Sequence, residues 1–114
     1  MPREAEIRLK IQLDDKNVPA SIDWRATDGP EGFHPSAGVL LSLWDPKARN
    51  TLSFDLWTAD LTIDEMNFFV LERLFKLAET HQKATGGQEI ADSIRKFCGE
   101  LTEKLEERAR ARQG

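Results

Sequence analysis

The sequence predicts an α+β fold: a four-stranded antiparallel sheet of meander-like order, then two antiparallel helices packed on one face, in two layers. Apolar and polar residues alternate in four short segments before residue 58, which is the period of half-buried strands. From residue 61 the apolar residues recur at helical spacing. The strands precede the helices instead of alternating with them, as in α+β proteins. A length of 114 residues fits a single domain, residues 1–114.

The first two strands are short. The first covers residues 6–13, where Ile7, Leu9, Ile11 and Leu13 alternate with polar residues. A turn signal follows, and residues 20–26 are the second predicted strand. Residues 27–37 contain two prolines and two glycines without any period, and we predict a loop there.

Residues 38–44 and 51–58 are the strongest predicted strands, and we expect them to form a hairpin. The segment between them begins Asp-Pro, which suits a tight turn. Alternation separates the side chains of the hairpin into two faces. One face carries Val39, Leu41, Leu43, Leu52, Phe54 and Leu56, and the other carries Leu40, Ser42, Trp44, Ser53, Asp55 and Trp57.

Two helices are predicted to follow, over about 62–84 and 88–108. Thr62 and Glu65 have the spacing of a capping box, and the glycines at 86 and 87 end the first helix. The apolar stripe of the first helix comprises Ile63, Met66, Val70, Leu74 and Leu77, broadened by Phe69, Leu71, Phe75 and Ala78. The inward residues of the second are Ile90, Ile94, Phe97, Leu101 and Leu105. Beyond Leu105 the chain has no apolar stripe, and we expect it to be solvated or frayed.

Composition excludes several classes of protein. The formal net charge is −4, which argues against a nucleic-acid partner. A single cysteine, Cys98, cannot form an internal disulfide. The longest apolar runs are far too short to cross a membrane, and the N-terminus lacks the apolar region of a signal peptide. We therefore expect a cytoplasmic protein without membrane insertion.

The candidate chemical groups point away from an enzyme. His34, in the predicted loop, is interpreted as solvated, and neither it nor His81 has other ligands at metal-binding spacing. Cys98 lies at helical spacing with apolar residues, which favours a buried structural thiol. We expect no catalytic residues, no metal and no cofactor. Residues 50–72 are acidic, and one alternative is a small-ligand or enzyme site near Asp55.

The tryptophans are the best functional lead. Trp44 and Trp57 share a predicted sheet face with Leu40 and Asp55. If the helices cover the opposite, leucine-bearing face, this face stays open, and exposed tryptophan is typical of protein interfaces. The four residues are therefore the predicted interface, for a protein partner or for a homo-oligomer formed through the sheet. The alternative is that the helices cover the tryptophans.

Several stretches resemble the gliding-motility-associated GldC family of bacteria. They are IQLDDKNVPASIDWRATD, LSLWD, NTLSFDLWTADLTIDEMNFFVLERL and the ATGG turn, and together they span about residues 7–98. The resemblance implies a small cytoplasmic accessory protein of the gliding machinery, without an assigned enzymatic activity. We therefore expect a non-enzymatic adaptor that binds another protein. The layout of elements is also similar to that of the export chaperone SecB, so an oligomer that binds extended peptides on its sheet is the alternative.

Overall fold

A computed structural model describes residues 2–113. The elements are β1 (Ile7–Leu13), β2 (Pro19–Ala26), β3 (His34–Ser36), β4 (Gly38–Asp45), β5 (Asn50–Trp57), α1 (Ile63–Thr85) and α2 (Glu89–Gln113). Strands precede helices, which confirms the α+β class. The chain divides between Leu61 and Thr62 into two compact units. The single domain and the packing of the helices on the sheet stay predictions, and Met1 and Gly114 of that domain lie outside the described residues.

The strands form two sheets, so the predicted four-stranded sheet is not confirmed. One sheet has the order β1-β2-β3, and the other is the β4-β5 hairpin. Only Ala37 separates β3 from β4, and its carbonyl oxygen accepts the Thr58 backbone N–H at 2.9 Å. The chain therefore passes from one sheet to the other at Ala37. Alternation had indicated which residues share a face, but it carries no information on which strands pair.

Strand β3 is a correction to the predicted loop at 27–37. Its residues His34–Ser36 pair with Ile22–Trp24 of β2 in antiparallel register. The strand has only three residues and contains Pro35, so it shows no period in the sequence. Proline lacks an N–H and is tolerated on the outermost strand of a sheet, which is where β3 lies.

The core of this unit centres on β2. Ile22 is 1% exposed and is the largest fully buried side chain of the two sheets. Strand β2 lies between β1 and β3, so its backbone is paired on both sides. Strand β1 is far more exposed, and Ile7 keeps 79% of its surface. Side-chain burial therefore increases from the edge strand β1 to the middle strand β2.

Both hairpin turns use the same local chemistry. The Asp14 carboxylate accepts the backbone N–H groups of Lys16 and Val18 at 2.8 and 3.0 Å. The Asp45 carboxylate accepts those of Lys47 and Ala48 at 2.9 and 3.2 Å. Each turn then closes through one left-handed residue, at Asn17 (φ 62°) and Arg49 (φ 56°). These aspartates stabilise the turns, because their carboxylates accept backbone N–H groups that have no partner on the opposite strand.

The left-handed residues predict an asymmetric response to glycine. Arginine has a Cβ that disfavours this conformation, whereas asparagine tolerates it. Arg49→Gly should therefore raise the free energy of unfolding by about 0.5–1 kcal/mol, after the entropy that glycine adds to the unfolded chain. Asn17→Gly, the matched control, should change it little. Urea unfolding followed by tryptophan fluorescence measures both, and equal effects would contradict the explanation.

The second unit is an antiparallel pair of helices. The capping box predicted at the start of α1 is present: Thr62 Oγ1 accepts the Glu65 N–H, and Glu65 Oε1 accepts the Thr62 N–H, both at 3.1 Å. Gly86 ends α1 in the left-handed conformation, with φ 74°. Arg95 donates to Gln82 at 2.7 Å near the connection between the helices. The seam between the helices buries small side chains, those of Ala78, Ala91 and Cys98.

The inward residues predicted for the helices need correction. Ile63, Val70, Phe75 and Leu77 of α1 are exposed, as are Ile90 and Phe97 of α2. The buried apolar residues of the helices are Leu71, Ala78, Ala91 and Cys98, and of these Leu71 and Ala78 belong to the broadened stripe predicted for α1. A pair of helices can bury only one narrow stripe on each, so the rest of a broad apolar stripe stays at the surface.

The end of α2 is a second correction. The chain beyond Leu105 is solvated as predicted, but it is helical to Gln113. Glutamate, alanine and arginine are strong helix formers, and cations are favoured at a helix C-terminus. Arg112 also forms an ion pair with Asp64, at 2.8 Å, in the first turn of α1. Charge and propensity therefore continue the helix where the apolar pattern stops.

Candidate protein-interaction surface

The β4–β5 hairpin places the four predicted interface residues on one face. Leu40 lies directly opposite Asp55, and Trp44 lies opposite Thr51. Trp57 lies opposite Gly38, so no side chain covers it from across the ladder. Directly opposed residues of an antiparallel pair point to the same side. We call this side, with Leu40, Trp44, Asp55 and Trp57, the tryptophan face.

The two tryptophans lie at opposite ends of this face. Trp44 is beside the turn, whereas Trp57 pairs at the start of β4. The register separates them by the length of six residues, which is roughly 20 Å along a strand. Both are exposed, Trp44 by 63% and Trp57 by 52%. They therefore form two anchors with Leu40 and Asp55 between them, and not one aromatic cluster.

The opposite side of the hairpin is also apolar and partly open. Its residues are Val39, Leu41, Leu43, Leu52, Phe54 and Leu56, paired as predicted, and we call it the leucine face. Leu43, Leu52 and Phe54, toward the turn, are about half exposed. The sequence pattern leaves open which of the two faces the helices cover, and the exposure of the leucine face was not predicted. The signal was the apolar content of both faces, which is unusual for a strand pair with one solvated side.

Trp24 has a different environment from the other two tryptophans. It lies in β2 opposite His34, and the ring centroids are 5.2 Å apart at an angle of 38°. His34 is only partly exposed, and its Nε2 atom is buried without a hydrogen-bond partner. The interpretation of His34 as a solvated loop residue is therefore wrong. The Trp24 and His34 rings pack against each other between β2 and β3. This pair is not part of the tryptophan face.

The acidic residues of 50–72 do not converge. Glu65 caps α1, and Asp64 is paired with Arg112. Asp55 borders a cavity of about 180 Å³ lined also by Val18, Pro19, Leu56 and Trp57. Small-molecule pockets usually enclose about 300–1,000 Å³, so this cavity suits the edge of a contact surface better than a substrate.

Other chemical groups are dispersed over the described chain. Within residues 2–113, no three His, Cys, Asp or Glu side chains come together in a way that could hold a metal ion. Cys98 is fully buried in the seam between the helices, which confirms its interpretation as a buried thiol. Neither helix, over the described residues, is long and apolar enough to span a membrane.

Fold and surface together define an α+β protein with a helical hairpin and a two-stranded hairpin that exposes large apolar side chains. The chain belongs to the gliding motility-associated protein GldC-like family, whose model matches residues 19–107. The match confirms the resemblance seen in the sequence and associates the chain with gliding motility. It includes β2 to β5, α1 and most of α2. Neither the curated proteins nor the solved structures gave a match.

Proposed function

We propose that this protein is a non-enzymatic, cytoplasmic accessory protein of gliding motility that acts by binding another protein through the tryptophan face. The observation that carries the proposal is the exposure of Trp44 and Trp57 on one side of the β4–β5 hairpin. Tryptophan is enriched among the residues that dominate binding energy. The family membership supplies the association with gliding.

The geometry of the face defines the partner that it suits. The anchors are roughly 20 Å apart, so the partner must present an extended surface with two apolar recesses and cannot be a single loop tip. Asp55 lies between the anchors beside Leu40 and is exposed. An arginine or lysine of the partner opposite Asp55 would add a charged hydrogen bond at the centre.

Single substitutions of the anchors test this proposal. Trp44→Ala and Trp57→Ala should each weaken partner binding by about 2 kcal/mol or more, roughly 30-fold, if both are anchors. Because both side chains are exposed, the free energy of unfolding should change by about 1 kcal/mol or less. Affinity capture from the lysate of a gliding bacterium that carries the gene, followed by binding measurements with the recovered partner, gives the comparison.

Phe68→Ala is the matched control, because Phe68 is an equally exposed aromatic residue on α1. It should retain the same partners at the same yield. If Trp44→Ala and Trp57→Ala recover the same partners as the unmodified protein, the assignment of the interface is wrong. If only one of the two variants loses the partners, the interface is confined to the end of the hairpin that carries that tryptophan.

An oligomer that binds extended segments on its sheet is the second candidate. It is supported by apolar side chains on both faces of the hairpin, since one face could join copies while the other receives a client. Light scattering between low and high micromolar concentration tests it. A mass of 13.0 kDa at every concentration would exclude the oligomer.

A further inference from the structure

We propose that the outer edge of β1 binds an extended peptide segment with alternating acidic and apolar residues, which adds to the sheet as a further antiparallel strand. This surface is separate from the tryptophan face. In the described part of the chain, β1 pairs only with β2, so one edge of the strand is free. A free edge offers unpaired N–H and C=O groups, which an extended peptide can pair.

The ladder determines which backbone groups are free. The Thr27 N–H donates to the Glu6 carbonyl at 3.0 Å, so this pair is hydrogen-bonded. Hydrogen-bonded and non-hydrogen-bonded pairs alternate along an antiparallel ladder. The backbone groups of Arg8, Lys10 and Gln12 therefore turn toward β2. Those of Ile7, Leu9, Ile11 and Leu13 turn outward to the free edge.

The side chains of β1 select an acidic partner. The strand reads IRLKIQL, with two basic residues and no acidic one, in a chain of net charge −4. Arg8 lies directly opposite Arg25 of β2, a like-charge pair that is unfavourable by itself. The Arg8 Nε donates to Glu6 at 3.1 Å, whereas Arg25 forms no ion pair among the described residues. Additional negative charge beside Arg8 and Arg25 would relieve their repulsion, whereas Lys10 already lies opposite Asp23 of β2.

An added strand would meet this pattern residue by residue. Its residues opposite Arg8 and Lys10 fall at non-hydrogen-bonded positions, where facing side chains are closest. Carboxylates there would pair with the two cations. Its intervening residues would lie opposite the outward residues of β1, of which Ile7, Leu9 and Leu13 are exposed apolar side chains. The edge thus specifies alternation of acidic and apolar residues, and not only negative charge.

A second copy of β1 is a poor occupant of the same edge. Full antiparallel overlap of Ile7–Leu13 with itself is centred on Lys10. It would therefore place Lys10 opposite the Lys10 of the other copy, and like charges directly opposite each other disfavour pairing. Basic residues on an edge strand are a known protection against such self-association.

Fluorescence anisotropy with synthetic peptides tests the proposal. The probe is a fluorescein-labelled nine-residue peptide in which glutamate and valine alternate, compared with a lysine–valine peptide and with a peptide that has its glutamates in one block. The alternating glutamate peptide should bind best. Arg8→Glu/Lys10→Glu should weaken its binding roughly tenfold and should favour the lysine–valine peptide instead. The control Arg73→Glu/Lys76→Glu, on the exposed side of α1, should leave both affinities unchanged.

A second variant tests the backbone edge. Leu9→Pro removes one outward N–H without removing a bond to β2, and it should abolish binding while circular dichroism shows a folded protein. Equal binding of the block peptide would show general attraction to a basic strand and would overturn the proposal, as would full binding to Leu9→Pro. If the protein forms a dimer that dissociates in Leu9→Pro, a second copy of the chain occupies the edge of β1, and this result also overturns the proposal. Charge reversal tests the proposal even if Leu9→Pro fails to fold.

Discussion

Ile22→Ala should lower the free energy of unfolding by about 3 kcal/mol. Ile22 is 1% exposed in the middle strand of the first sheet, so truncation leaves a cavity that neighbouring strands cannot easily fill. All three tryptophans lie in the strands and none in the helices. Urea unfolding followed by tryptophan fluorescence therefore reports on the strand unit.

Ile7→Ala is the control for this substitution. It removes the same atoms from β1, where the side chain is 79% exposed, and should cost less than about 0.5 kcal/mol. A similar loss in both variants would mean that the burial of Ile22 is not what stabilises the strand unit.

Ala78→Leu should destabilise the helical hairpin by roughly 2–3 kcal/mol, because the seam between α1 and α2 holds small, fully buried side chains. Circular dichroism at 222 nm during urea unfolding should show the loss. The variant should also let a thiol reagent reach Cys98 faster, since Cys98 is fully buried in the same seam.

Ala84→Leu provides the comparison for the seam. Ala84 belongs to the same helix but is exposed, so a larger side chain should change stability by less than about 0.5 kcal/mol. If Ala78→Leu were tolerated as well as Ala84→Leu, the seam would be loose enough to accept three more carbon atoms, and its close packing would be disproved.

Local patterns in the sequence were sufficient for most of the elements. Alternation located β1, β2, β4 and β5 to within one residue, and the Thr62–Glu65 spacing located the start of α1. These features depend on neighbouring residues alone. Strand β3 and the change of sheet at Ala37 depend on pairing between distant segments, which neighbouring residues do not encode. The end of α2 depends on charge and helix propensity instead of apolar period.

The candidate surface was only partly predictable for the same reason. Alternation placed Trp44 and Trp57 on one face of the hairpin, and the register agrees. The register also places them at opposite ends, and that spacing depends on the exact pairing of β4 with β5. The exposure of Phe54 and Leu52 was not predictable from alternation, because a period of two shows which residues share a face and not what covers that face.

The junction at Ala37 has a mechanical consequence. A single residue separates β3 from β4, and the backbone bends at that residue, so the two strands are not one continuous extended segment. Tension applied to the β4–β5 hairpin would therefore first straighten the bend at Ala37, before the backbone reaches its full extension of about 3.3 Å per residue. The hydrogen bond from the Thr58 N–H to the Ala37 carbonyl oxygen, at 2.9 Å, holds the chain at this bend. The junction can therefore lengthen slightly under load, at the cost of one backbone hydrogen bond, before covalent bonds carry the tension.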